Sequence, residues 1–81
     1  MRILLVEDHP SLREVTAEYL RGRGSIVDAF ANAADALAAI EMVNYDIAIL
    51  DLGLPDMDGM TLLRELQTRT GSAIPTLLAT A

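Results

Sequence analysis

Ile47-Ala48-Ile49-Leu50-Asp51 is a short apolar run stopped by a carboxylate, and Ile3-Leu4-Leu5-Val6-Glu7-Asp8 repeats that design near the start of the chain. Neither run alternates apolar with polar side chains, so both suit strands covered on the two faces of a parallel sheet. Around them the chain switches to helical periodicity. After His9-Pro10, a helix opening at Pro10 or Ser11 carries Leu12, Val15, Tyr19 and Leu20 as its expected apolar stripe, and Gly22 and Gly24 close it. Ser25 to Phe30 reads as a strand with Asp28 in its middle, a charge suited to a sheet edge. Asn32 is placed to cap a second helix, with Asp35 in capping-box spacing and Leu37, Ile40 and Val43 facing inward.

Downstream of Asp51, Gly53, Pro55 and Gly59 punctuate a loop. Met60, Leu63 and Leu66 give a third helix its apolar side, and Gly71 marks its end. Pro75 then stands where a strand tolerates it, at the start of Thr76-Leu77-Leu78-Ala79-Thr80. Strand and helix alternate throughout with short connections. That order predicts right-handed crossovers and an α/β architecture, a parallel sheet with helices on both faces.

Composition narrows the chemistry. The chain has 81 residues, enough for one domain, and 52% of them are apolar, which predicts a packed core. With no cysteine, disulfides, thiolate metal sites and cysteine nucleophiles are excluded. His9 is the single histidine, with no serine placed to complete a nucleophilic triad, and it is expected in an exposed loop. Twelve acids against six basic residues, all arginine, leave a formal charge of -6, which disfavours direct binding of this segment to nucleic acid. The apolar runs are too short to span a bilayer and no signal peptide is visible, so a cytoplasmic location without membrane contact is expected.

The acids must therefore carry any chemistry. In a parallel sheet the carboxyl ends of all strands share one rim, where open α/β sheets place their ligands. Glu7, Asp8, Asp51 and Thr80 each fall at or just after such an end. Acids at strand ends also serve as helix caps, but gathering several carboxylates is costly unless protons or a cation offset the repulsion. An oxygen-only set selects a hard ion, and a site with so few carboxylates suits Mg2+, with Mn2+ able to substitute.

Asp51-Leu52-Gly53-Leu54-Pro55-Asp56-Met57-Asp58-Gly59 closely resembles the phosphoacceptor signature of two-component response-regulator receiver domains. Val6-Glu7-Asp8-His9-Pro10 is similar to that family's acidic pair, and Thr80-Ala81 to its switch threonine and the small residue after it. The resemblance implies a flavodoxin-like doubly wound sheet of strand order 2-1-3-4 with three helices. It further implies phosphorylation of Asp51 by a sensor histidine kinase or phosphotransfer protein. Mg2+ would be held by Glu7, directly or through water, with Asp8, Asp51 and the carbonyl of Gly53, while Thr80 contacts the phosphoryl group. Met57 and Met60 are expected to pack in loop and core, Pro55 and Gly59 to shape the loop, and Asp56 and Asp58 to be solvated or capping.

The family pattern continues through a fourth helix, a fifth strand carrying a lysine, and a fifth helix. Residues 1–81 are therefore expected to form an incomplete receiver domain, with no lysine anywhere to substitute. An unshielded fourth strand predicts that the 81-residue form associates with itself, by edge pairing or exchange of elements, or else is the ordered part of a longer chain. Two other readings stand beside the signalling domain. One is a non-signalling fragment acting as an assembly module. The other is an aspartate-nucleophile phosphohydrolase, which would need a second aspartate where Gly53 stands.

Overall fold

A computed structural model describes residues 1–71 and 74–79. The elements run β1 (Arg2–Val6), α1 (Pro10–Gly22), β2 (Ile26–Phe30), α2 (Ala33–Ile40), β3 (Ile47–Asp51), α3 (Gly59–Thr70) and β4 (Thr76–Ala79). The strands form one sheet in the order β2-β1-β3-β4, every pair parallel, as the sequence implied. Register places Leu5 between Ala29 and Ile49, and Val6 between Phe30 and Leu50. Side-chain alternation then divides the core in two. Leu4, Val6, Ala48 and Leu50 face α2 and α3, where they pack with Leu37, Ile40, Leu62 and Leu66. Ile3, Leu5 and Val27 face Ala17 and Leu20 of α1. Each fully buried leucine contributes about 1.5–3 kcal/mol, so the fold rests on both layers.

Helix termini follow the sequence closely. Asn32 caps α2, accepting from Asp35 N–H at 2.8 Å, and Gly71 ends α3 in the left-handed region at φ 67°. The buried helix faces follow it less well. In α1 only Ala17 is fully buried, while Leu12, Val15 and Tyr19 are 47%, 63% and 65% exposed. The helix lies over the β2 side of the sheet and turns the arc of Arg13, Thr16, Ala17 and Leu20 inward, where the small Ala17 permits close approach. In α3, Leu62 and Leu66 are buried whereas Met60 is 45% exposed and Leu63 packs partly. Helix α2 stops at Ile40, so Val43 reaches the core from the following loop.

The two edges of the sheet differ. Asp28 on β2 is engaged by Arg2 at 2.9 Å and by the Tyr45 hydroxyl at 2.7 Å, and Arg21 donates to the Val27 carbonyl at 2.7 Å. The Arg21 bond covers one outward-facing carbonyl of the β2 edge. On β4, Leu77 and Leu78 remain 58% and 40% exposed.

Gly59 sets the start of α3. A Cβ there would lie 2.8 Å from Leu52 Cα and 2.9 Å from the Asp51 carbonyl oxygen, so only glycine lets the helix approach the end of β3 this closely.

Candidate functional site

The site is assembled where β1 and β3 end. Glu7 extends the ladder beyond β1 by donating its N–H to the Phe30 carbonyl at 3.0 Å, while its carboxylate accepts from His9 N–H at 3.1 Å. Asp51, the last residue of β3, accepts from Gly53 N–H at 3.2 Å. Glu7 and Asp51 are 7% and 5% exposed, and Asp8 stands in solvent beside them. One carboxylate oxygen from each of Glu7, Asp8 and Asp51 lies within 4.8 Å of the others. The strand ends thus bring together the three carboxylates that the sequence singled out.

Their electrostatics reflect that crowding. Burial pushes the Glu7 carboxyl above its ordinary value, against the His9 N–H, and Asp8 and Asp51 push it the same way. Asp8 is held below the usual range, chiefly by its hydrogen bond with Asp51. Among the described residues no arginine forms an ion pair with these carboxylates. The group is negative, oxygen-only and uncompensated by side-chain charge, which fits a hard dication and disfavours a soft one. A cleft of about 410 Å3, lined by Glu7, Asp8, His9, Leu12, Asp51, Leu52 and Gly53, opens the cluster to solvent.

The loop after Asp51 is pinned at several points. Gly53 forms an isolated antiparallel bridge with Asp58, and Leu54 is buried. Asp58 caps α3 by accepting from Thr61 N–H at 2.9 Å and its hydroxyl at 2.8 Å. Asp56 accepts from Ala33 and Ala34 N–H at 2.9 and 3.0 Å, so both acids are caps. His9 is exposed and caps α1, its Nδ1 accepting from Leu12 N–H at 3.4 Å, which places the helix start at Pro10. Thr80 lies outside the described residues. Sequence reasoning missed Arg13, whose Nη1 donates to the Glu7 carbonyl at 2.9 Å. The available signal was an arginine one turn into the helix that follows the acidic pair.

Fold and rim together define a doubly wound domain of the receiver type. The profile described as response regulator receiver domain matches residues 3–81, and the chain belongs to that family, the signalling domains of two-component systems. It is 41% identical over 81 residues to the two-component response regulator PhoP of Pseudomonas aeruginosa, covering 100% of this chain and 36% of the relative. The crystal structure of the response regulator TrrA of Thermotoga maritima in complex with Mg2+-BeF superposes with a TM-score of 0.89 at 35% identity, covering 99% of this chain and 69% of that one. TrrA in complex with the histidine kinase ThkA gives the same TM-score of 0.89 and 35% identity, covering 99% and 68%. The chain spans about a third of the length of the first two curated relatives, 36% and 34%.

Proposed function

We propose that the chain is the phosphoacceptor domain of a two-component system, with Asp51 as the modified residue and Mg2+ held by Glu7, Asp8, Asp51 and the Gly53 carbonyl. The observation that carries this reading is the meeting of the three carboxylates within 4.8 Å at the end of β3. The phosphoryl donor is a phosphohistidine on a sensor kinase or phosphotransfer protein. A carboxylate oxygen of Asp51 attacks phosphorus, a P–O bond forms, and the P–N bond breaks with its electron pair returning to the imidazole. The bound dication supplies neutralisation of charge on the phosphoryl oxygens. Glu7 and Asp8 hold it, and the Gly53 N–H keeps the Asp51 carboxylate oriented. Thr80 is assigned the hydroxyl that meets a phosphoryl oxygen and moves when Asp51 is modified.

The TrrA complexes with Mg2+-BeF and with ThkA support the cation and the kinase partner. A cytoplasmic location accords with this reading, and among the described residues no helix is long and apolar enough to cross a membrane. A formal charge of -6 argues against direct nucleic-acid contact by this segment. The test is incubation with Mg2+ and acetyl phosphate, followed by intact mass. One added phosphoryl group, absent in Asp51→Asn, is expected; no addition to the wild-type chain removes the reading.

A second reading concerns assembly. Exposed Leu77 and Leu78 on β4 favour pairing with a second copy of the chain, independently of phosphorylation.

A further inference from the structure

Asp8 differs from the other two acids of the rim. Glu7 and Asp51 are buried and accept main-chain hydrogen bonds from His9 and Gly53, whereas the Asp8 side chain is exposed and meets the other rim carboxylates and its own N–H, so its aim depends on the backbone that carries it. That backbone has an anchor from outside the sheet. Arg13 Nη1 donates to the Glu7 carbonyl at 2.9 Å and lies 3.4 Å from the Asp8 carbonyl. These carbonyls belong to the peptide planes on either side of Asp8, so a single guanidinium nitrogen restrains both. A rotation of either plane would swing the Asp8 carboxylate away from Glu7 and Asp51.

Arg13 is suited to this task. It is half-buried on the inward arc of α1, and the start of that helix is fixed by the His9 cap and by Pro10. Its hydrogen bonds go to main-chain oxygens, and it makes no ion pair with the rim acids, so it takes none of their lone pairs. The planar guanidinium offers several donors in a rigid array, which a flexible lysine ammonium reproduces only in part.

We infer that Arg13 is a positioning residue that aims the Asp8 carboxylate, keeping the three rim oxygens within reach of one dication. Its relevance to cation uptake rests on the proposed Mg2+ site, whereas the restraint on Asp8 does not. Outer residues that orient ligands typically change metal affinity by about 10- to 100-fold when removed.

The test uses the 81-residue chain with Arg13→Met, which keeps the stem and loses the donors, and with Arg13→Lys. In metal-free protein, 15N heteronuclear NOE values at Asp8 and His9 should match those of β1 in the wild type, fall in Arg13→Met and recover in part in Arg13→Lys. Unchanged values in Arg13→Met overturn the inference. Should Arg13→Met fail to fold by circular dichroism, a rim in Arg13→Lys as rigid as the wild type overturns it instead, and partial loosening supports it. Calorimetric titration with Mg2+ should show affinity weakened about tenfold by Arg13→Met in the wild-type background and unaltered by it in Asp8→Asn. Fully additive losses would show that Arg13 does not act through Asp8. A wild-type chain that takes up no Mg2+ defeats the proposed cation site, while the relaxation data still decide whether Arg13 restrains Asp8.

Discussion

Asp56 closes the amino end of α2 from 23 residues downstream, its two carboxylate oxygens accepting from Ala33 at 2.9 Å and Ala34 at 3.0 Å. The loop that follows Asp51 is thereby tied to a helix that precedes it in sequence. Those bonds, to Ala33 first, hold the Asp56 carboxyl below its usual range. Asp56→Ala leaves two N–H groups of the helix end without this partner. It should lower Tm by a few degrees in thermal circular dichroism, with Asp56→Asn recovering part of the loss. An unchanged Tm would show that water replaces the cap at no cost.

Gly59→Ala probes the close approach of α3 to the end of β3. A Cβ 2.8 Å from Leu52 Cα must displace main chain rather than a flexible side-chain tip. We expect a loss of about 1–3 kcal/mol in urea unfolding, together with chemical-shift changes at Asp51. A variant as stable as the wild type, with Asp51 undisturbed, would contradict the packing described.

Asp28 gives a pH dependence of defined sign. Its carboxyl is held below the ordinary value of 3.8, chiefly by the Tyr45 hydroxyl and then by Arg2. The folded chain therefore binds this proton less readily than the unfolded one, so the contribution is complete above 3.8 and is lost as pH falls through the lower folded value. Tyr45→Phe should raise the midpoint of acid unfolding and cost about 1 kcal/mol at neutral pH. Acid titrations that superimpose for the two proteins would refute this.

Glu7 has the opposite sign. Its folded value is raised above 4.5, mainly by burial, so in metal-free protein its contribution is present below 4.5 and is lost as pH rises through the folded value. Glu7→Gln should therefore raise Tm at neutral pH without Mg2+, while weakening Mg2+ uptake by about an order of magnitude or more. A fall in Tm with Mg2+ uptake unchanged would mean that the Glu7 carboxylate serves the fold rather than the cation.

Leu77→Lys tests the assembly reading. Concentration-dependent association in sedimentation velocity should disappear in this variant. A wild-type chain that stays monomeric at high concentration excludes pairing through β4.

Much of this was legible from local pattern. The two apolar runs ending in acids located β1 and β3, and the convergence of parallel strands at one rim brought Glu7, Asp8 and Asp51 together. Asn32 and Gly71 marked helix ends because capping involves residues close in sequence. The inward face of α1 was less visible, since four apolar residues suggested one arc while the position of the helix over β2 selected another, centred near Ala17. Leu62 was overlooked for a similar reason: Met60 and Leu63 fit the helical period equally well, and only the packed sheet distinguishes them. Arg13 and Asp56 bond to main-chain atoms of other elements, and side-chain identity does not announce such partners.

The unequal borders of the sheet limit how copies of the chain can combine. On the β2 border Arg21 takes up the outward-facing Val27 carbonyl, whereas among the described residues no side chain bonds the main chain of Leu77 or Leu78 on β4. A pair joined through β4 on both copies would use the same margin twice. That isologous geometry would close as a two-fold pair and leave no repeated head-to-tail contact from which a fibre could grow.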